Sequence, residues 1–207
     1  MPDPDDFALL DAWRAGDRLA GNALFERHFD AVARFFKNKI DGGVEDLVQE
    51  TFLACIESEN RFEGRARFRT FLLGVARNKL LMHYRAKRTD RKDPLTASVA
   101  DMGCRSGSWG SWLARDEEQR IMLAALRRLP LQSQMLLELY YWEDLTGPEL
   151  AQTLELSHNT VRSRLSRARE ALRLEVHALC ANPQLAESTL RRLENAEREG
   201  GWRLPSG

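Results

Sequence analysis

Between Ser157 and Arg169 the chain reads SHNTVRSRLSRAR, with polar hydrogen-bonding side chains set among apolar ones. Val161, Leu165, Ala168 and Leu172 recur at three and four, so they share one face of a helix. Asn159, Ser163 and Ser166 or Arg167 fall opposite that stripe and project outward together. His158, Asn159 and Thr160 open the helix, and Arg162, Ser163, Arg164, Arg167 and Arg169 follow. An asparagine amide pairs bidentately with adenine and an arginine fork with guanine. The remaining arginines, with the helix N-terminus, suit phosphate oxygens. The competing reading is an ordinary helix pair whose basic face is merely solvated.

A second cluster mixes cations with rings: Arg61, Phe62, Arg65, Arg67, Phe68, Arg69, Phe71 and later Tyr84. Unpaired bases stack on such rings while arginines hold the backbone. Phe68 and Phe71 also fit a helix core, which is the plainer reading for both. Phe62, in a loop next to Gly64, is the better candidate for exposure. Arg67, Thr70, Gly74, Asn78, Leu81, Arg85 and Arg88 follow helical spacing as a largely polar stripe. Gly74 in its middle would let another backbone come close.

The formal net charge is zero, yet the charges are segregated. Residues 1–60 carry 6 basic and 13 acidic side chains, whereas 61–92 carry 11 and 2. Residues 93–156 carry 5 and 10, 157–173 carry 5 and 1, and the rest 4 and 5. Two basic segments in acidic surroundings suggest two places that meet a polyanion.

The elements that must position these residues have helical period almost throughout. Leu19, Leu24, Phe25, Phe29, Val32, Phe35 and Phe36 form one stripe. Val44, Leu47, Val48, Phe52, Cys55 and Ile56 form a second, after a break at Gly42-Gly43. Phe68, Phe71, Leu72, Val75 and Ala76 begin a third, and residues 7–16 suggest a short leading helix. From Thr89 to Ser111 the periodicity fades into Asp93-Pro94, three glycines and several serines, which reads as a linker. Trp109 and Trp112 are unusual for a pure spacer and suggest docking.

Beyond it, one helix stops at Pro130 and the next carries Leu136, Leu137, Leu139, Tyr140 and Tyr141. Thr146-Gly147-Pro148-Glu149 has the spacing of a capping box with proline in the first turn. A short helix to Leu154, a tight turn and a second cap at Ser157 then make a helix-turn-helix. Leu185, Leu190, Leu193 and Ala196 predict an amphipathic helix in the tail. The fold expected is all-α, two small helical domains joined by a flexible linker, with a C-terminal extension.

Other chemistries find little support. Cys55, Cys104 and Cys180 are scattered, without metal-ligand spacing, and Cys55 lies on an apolar face. His28, His83, His158 and His177 stand apart, with no nucleophile–base spacing. No apolar run approaches the roughly 20 residues of a spanning helix, and the acidic start resembles no targeting peptide. A cytoplasmic, non-enzymatic protein without cofactor or metal is expected.

Asp46-Leu47-Val48-Gln49-Glu50-Thr51-Phe52, Phe68-Arg69-Thr70-Phe71-Leu72 and Val75-Ala76-Arg77-Asn78 together resemble the second region of extracytoplasmic-function sigma factors. Leu129-Pro130, Glu149-Leu150-Ala151 and Ser157 through Arg169 resemble their fourth region. The likeness implies a bacterial initiation subunit with core RNA polymerase and promoter DNA, duplex and melted, as partners. Asp46, Gln49, Glu50 and Phe52 would dock on the polymerase clamp. Arg61, Phe62, Arg65, Arg67, Arg69, Asn78, Arg85 and Arg88 would capture the −10 element, including a flipped base. His158, Asn159, Thr160, Arg162, Ser163, Arg164 and Arg167 would read the −35 element.

The same likeness implies domains at 1–90 and 116–175, a linker at 91–115 passing through the polymerase, and an extension from 176. Inhibitory anti-sigma partners are common in that family. Gln132-Ser133-Gln134 and Thr146-Gly147-Pro148 depart from its usual pattern, so the promoter preference does not carry over. Two alternatives remain: a dimeric helix-turn-helix regulator working without polymerase, and a polymerase-binding regulator that has lost promoter recognition.

Overall fold

The computed structural model describes residues 4–57, 67–87, 93–102 and 116–199. Among them are nine α-helices and no strand, only an isolated bridge between Ser98 and Pro130. The first half holds α1 (Pro4–Arg14), α2 (Arg18–Lys37), α3 (Val44–Glu57) and α4 (Phe68–Lys87). The second holds α5 (Glu117–Arg128), α6 (Leu131–Tyr141), α7 (Gly147–Leu154), α8 (His158–Leu179) and α9 (Pro183–Glu199).

Local chemistry sets the helix ends. The Asp17 carboxylate accepts from the N–H groups of Leu19 and Ala20 at 2.8 and 3.3 Å, capping α2. Asp116 caps α5 by accepting from Gln119 N–H at 2.8 Å. Pro130, which cannot continue a helix, separates α5 from α6.

The apolar stripes meet as their spacing demands. Leu24, Val32 and Phe36 of α2, Val48 and Phe52 of α3, and Phe68, Leu72 and Ala76 of α4 are all buried. Leu19 and Ile56 depart from their stripes and are 78% and 40% exposed, while their neighbours Ala20 and Cys55 at the same helix ends are buried. Cys55 is in the core as its position predicts, and burial pushes its thiol up to about 12.

The expected linker is partly built into the core. Pro94–Thr96 form a single 3-10 turn, and Val99 is wholly buried. Leu131 N–H donates to Ala97 C=O at 2.9 Å, and Ala100 N–H to Arg127 C=O at 3.0 Å. Residues 103–115, with Cys104, Trp109 and Trp112, lie outside the described residues.

The tail helix α9 packs on α5 and α8 through Ala186, Leu190 and Leu193. Arg192 reaches Asp116 at 2.6 Å and Glu118 at 3.3 Å. The Arg192 hydrogen bond holds the Asp116 carboxyl below its ordinary range.

Asp6 anchors α1 by accepting from the His28 ring at 2.8 Å and from Arg27 at 2.5 Å. Burial lowers the His28 pKa and outweighs the pull of Asp6, so the ring is a neutral donor. Since the unfolded ring titrates near its ordinary value, the unfolded chain binds a proton there that the folded chain does not. Stability from this site is therefore full above about pH 6.5 and falls as the pH drops below it. Thermal unfolding from pH 7.5 to 5.5 is expected to show a larger fall in Tm for the wild type than for His28→Gln. Equal falls would mean that the ring takes up a proton in place.

Candidate nucleic-acid and protein interfaces

The helix-turn-helix is assembled from caps. Thr146 N–H and its hydroxyl both donate to the Glu149 carboxylate, at 2.8 and 2.7 Å, and Pro148 sits in the first turn of α7. Burial opposes the Glu149 charge, but the two Thr146 bonds and the nearby Arg67 prevail and keep its carboxyl below the ordinary range. Glu155 ends α7 with a left-handed backbone, φ 56° and ψ 45°, which turns the chain sharply. Ser157 Oγ then accepts from Thr160 N–H at 3.2 Å and starts α8.

On α8 the inward stripe of Val161, Leu165, Ala168 and Leu172 is buried as expected. Asn159, Arg162, Ser163, Ser166 and Arg167 are exposed along the opposite side. His158 is also exposed, although its ring packs against Gly147, where an added Cβ would lie 2.9 Å from Nε2. The Thr160 hydroxyl is shared with Ser157 at 2.7 Å, so it serves the cap. Arg164 bonds Gln132 at 3.2 Å, and Arg169 bonds the Tyr141 hydroxyl at 2.9 Å over the Tyr140 ring. Of the predicted duplex-reading set, Asn159, Arg162, Ser163 and Arg167 form the open outward face.

A second exposed face lies on α3. Asp46, Gln49 and Glu50 are solvent-facing, with Glu50 held 3.5 Å from Lys79 of α4. Phe52, expected beside them, is instead 4% exposed and packs on the Phe25 ring at 4.4 Å. The apolar member of this face is Leu53, 58% exposed and one turn beyond Gln49 and Glu50. Counting three and four from Asp46 reaches positions 49, 50 and 53, a spacing that puts Leu53 on this face and Phe52 inside, although the sequence reading did not draw it.

The α4 set is divided. Arg67, Asn78 and Arg85 are exposed, whereas Arg69 is half-buried against Glu143. Phe68 and Tyr84 are core, and the Tyr84 hydroxyl donates to the Lys39 carbonyl. Thr70 and Leu81 of the polar stripe are buried too. Arg61, Phe62, Arg65 and Arg88 lie outside the described residues. A backbone does approach Gly74, and it is that of Thr153 in α7, 3.9 Å from where a Cβ would stand. That is ordinary contact, so the space alone does not require glycine.

Sequence reasoning missed the ion pairs that join the two halves. Lys39, wholly buried after α2, pairs with Glu138 of α6. Arg34 and Arg69 both reach Glu143, Arg67 lies 3.5 Å from Glu149, and Arg77 lies 3.5 Å from Glu155. Arg77, Arg164 and Arg167 meet across an open cleft of about 670 Å³ between α4 and the second half. Among the described residues no group of three or more His, Cys, Asp or Glu is placed to hold a metal. No helix there is long and apolar enough to cross a membrane.

An all-helical chain that ends one domain in a helix-turn-helix and exposes a mixed acidic and apolar ridge on the other is built as a DNA-binding protein with a protein partner. The family model for sigma-70 region 2 matches residues 24–89, and that for sigma-70 region 4 matches residues 119–172. The chain is 28% identical over 182 residues to the "ECF RNA polymerase sigma-E factor" of Haemophilus influenzae, covering 84% of this chain and 96% of that one. The protein of the same description from Escherichia coli K12 is also 28% identical, with 95% of its length covered.

Among solved structures, CnrH in complex with the cytosolic domain of CnrY is similar at a TM-score of 0.63 and 25% identity, covering 85% of this chain and 99% of that one. The sigma factor RpoE in complex with the anti-sigma factor NepR, from Bartonella quintana, shares the fold at a TM-score of 0.54 and 17% identity, over 77% and 98% of the two chains. The chain belongs to the extracytoplasmic-function sigma factors of the sigma-70 superfamily. Sigma factors of this kind are regulators of RNA polymerase and generally not enzymes.

The Ser157 cap is the hinge of the motif. Ser157→Ala is expected to cost about 1 kcal/mol of stability and to lower Tm while leaving the far-UV spectrum helical. An unchanged Tm would mean that α8 is set by packing alone.

Proposed function

We propose that this sigma factor divides its work between residues 1–90, which hold core RNA polymerase and the −10 element, and residues 116–175, which read the −35 element as duplex. Residues 91–115 connect them and 176–207 extend the second domain. Asp46, Gln49, Glu50 and Leu53 form the docking ridge for polymerase. Asn159, Ser163 and Arg167 read base edges in the major groove, while Arg162 and Arg164 hold phosphates. Arg67, Asn78 and Arg85 line the path of the melted strand, with Arg61, Phe62, Arg65 and Arg88 completing it. Melting costs about 1.4 kcal/mol per base-pair step, so capture of unstacked bases must offset it.

The observation that carries this reading is the coexistence, in one chain of this family, of an outward polar face on α8 and a separate exposed ridge on α3. A conventional helix-turn-helix regulator would have use for the first only. The work proposed here lies in the bacterial cytoplasm and needs no cofactor. An anti-sigma partner is supported by RpoE of Bartonella quintana, whose solved complex contains one.

The purified chain is expected to co-migrate with bacterial core polymerase on size exclusion, and Asp46→Ala with Glu50→Ala to abolish this. Free elution of the wild type, with dimeric binding to duplex DNA, would favour the conventional regulator. On promoter duplex, Asn159→Ala is expected to lose about 1–3 kcal/mol of discrimination at one base pair. Arg162→Ala should instead weaken all sequences alike and lower the salt slope by about one. A uniform loss for both would place Asn159 on the phosphates.

A further inference from the structure

Arg77 of α4 belongs to none of the sets assigned to DNA or polymerase, and it is only 9% exposed. Its Nε, also buried, has no hydrogen-bond partner among the described residues. The rest of the fork makes a 3.2 Å bond to the Asn78 side chain and lies 3.5 Å from Glu155, whose own side chain is 67% exposed. A guanidinium taken this far from water is ordinarily matched by close, desolvated acceptors. Here it has one loose carboxylate, and it lines the open cleft of about 670 Å³.

Arg164 and Arg167 of α8 line the same cleft. Among the described residues neither pairs with a carboxylate. Arg164 donates to the Gln132 amide oxygen at 3.2 Å, and Arg167 to the Ser163 carbonyl of its own helix at 3.4 Å. Asp93, the other acid of the cleft, accepts from Leu95 N–H at 3.0 Å and caps the turn Pro94–Thr96. Leu95 and Leu156, half-buried, and Met135, Leu136 and Leu154, buried, supply an apolar lining. Gln132 and Ser133, where the chain departs from the family's usual pattern, add hydrogen-bonding groups to it.

We propose that this cleft is a binding site for a nucleoside di- or triphosphate, with the phosphates on Arg77, Arg164 and Arg167 and the base against the leucine-lined side. Guanidinium forks take phosphate oxygens two at a time, and three forks at one cleft match a chain of phosphates better than a single one. The volume falls within the range of small-molecule sites, about 300–1,000 Å³. A DNA duplex is the poorer occupant, because its phosphates lie on a convex surface and Arg77 is beyond their reach. The site stands on this geometry and not on the role proposed for α8. One consequence does rest on that role: a nucleotide that engages Arg164 and Arg167 competes with −35 duplex for them.

Isothermal titration of the full chain with ATP, GTP and inorganic pyrophosphate tests the site. At least one nucleotide is expected to bind, one molecule per chain, and more tightly than pyrophosphate. Arg77→Lys keeps the charge but loses the fork, and should weaken binding roughly tenfold. Thr96→Glu places an acid on the cleft at an exposed position and should abolish binding with helix content unchanged. Arg18→Ala with Arg120→Ala, exposed and outside the cleft, should bind as the wild type does. In fluorescence anisotropy, saturating nucleotide should weaken −35 duplex binding by the wild type and not by Thr96→Glu.

No binding of either nucleotide, or equal binding by Thr96→Glu, would overturn the site. Pyrophosphate binding as tight as the nucleotides' would overturn the nucleoside part of the assignment. A duplex affinity that falls with Arg77→Lys would give the cleft to DNA phosphates instead. Nucleotide binding that leaves duplex affinity untouched would overturn the competition alone. A duplex bound by neither protein, alone or on core polymerase, would remove the role of α8 and leave the nucleotide site standing.

Discussion

Lys39 has no contact with solvent, and the arrangement of the whole molecule follows from how its ammonium group is satisfied. The group donates to the Phe35 carbonyl at 2.6 Å, lies 4.4 Å from the centre of the Phe35 ring and pairs with Glu138. Its own carbonyl accepts from the Tyr84 hydroxyl. One residue thus joins α2, α4 and α6, two from the first domain and one from the second. Burying an isolated ammonium costs several kcal/mol even after relaxation, so the second domain is held where Glu138 can reach. A buried pair of this kind adds little net stability compared with apolar packing. Removing one partner alone would leave the other charge buried and unpaired, which is strongly unfavourable.

The zero net charge takes on meaning at the same interface. The strongly basic 61–92 segment and the acidic 93–156 segment are adjacent in sequence. Their opposite charges meet through Arg67, Arg69 and Arg77 on one side and Glu143, Glu149 and Glu155 on the other. Segregated charge in this chain therefore serves two settings, polyanion outside and carboxylate inside. Residues 97–102 help to seal the junction, since Val99 is buried and Ala97 bonds to the start of α6.

Much of this was legible in the sequence, for local reasons. The stripes of α2, α3, α4 and α8, the capping box at Thr146 and the cap at Ser157 depend on residues within four positions of one another. Spacing at that range is enough to place a helix and its buried side. The error at Phe52 arose from transferring a motif residue without counting its face, and Leu53 holds the outward position. Leu19 and Ile56 show the limit of periodicity, since a stripe's edge residues can face water while their neighbours Ala20 and Cys55 are buried. The Lys39–Glu138 and Arg69–Glu143 pairs lie 99 and 74 residues apart. No window of sequence contains both partners, and either residue alone looks like ordinary surface charge.

The composition of the interface bears on how it separates. An apolar interface of similar extent would lose its burial on opening and regain nothing, which makes separation costly. Carboxylates and guanidinium groups recover hydration when they part, so the two states differ by less than the strength of any one pair suggests. Arg67, with about half its side chain exposed, faces both Glu149 and solvent, so that pair is worth little by itself. Lys39 differs from the arginines, since it is wholly buried and meets Glu138 of α6 beneath the surface.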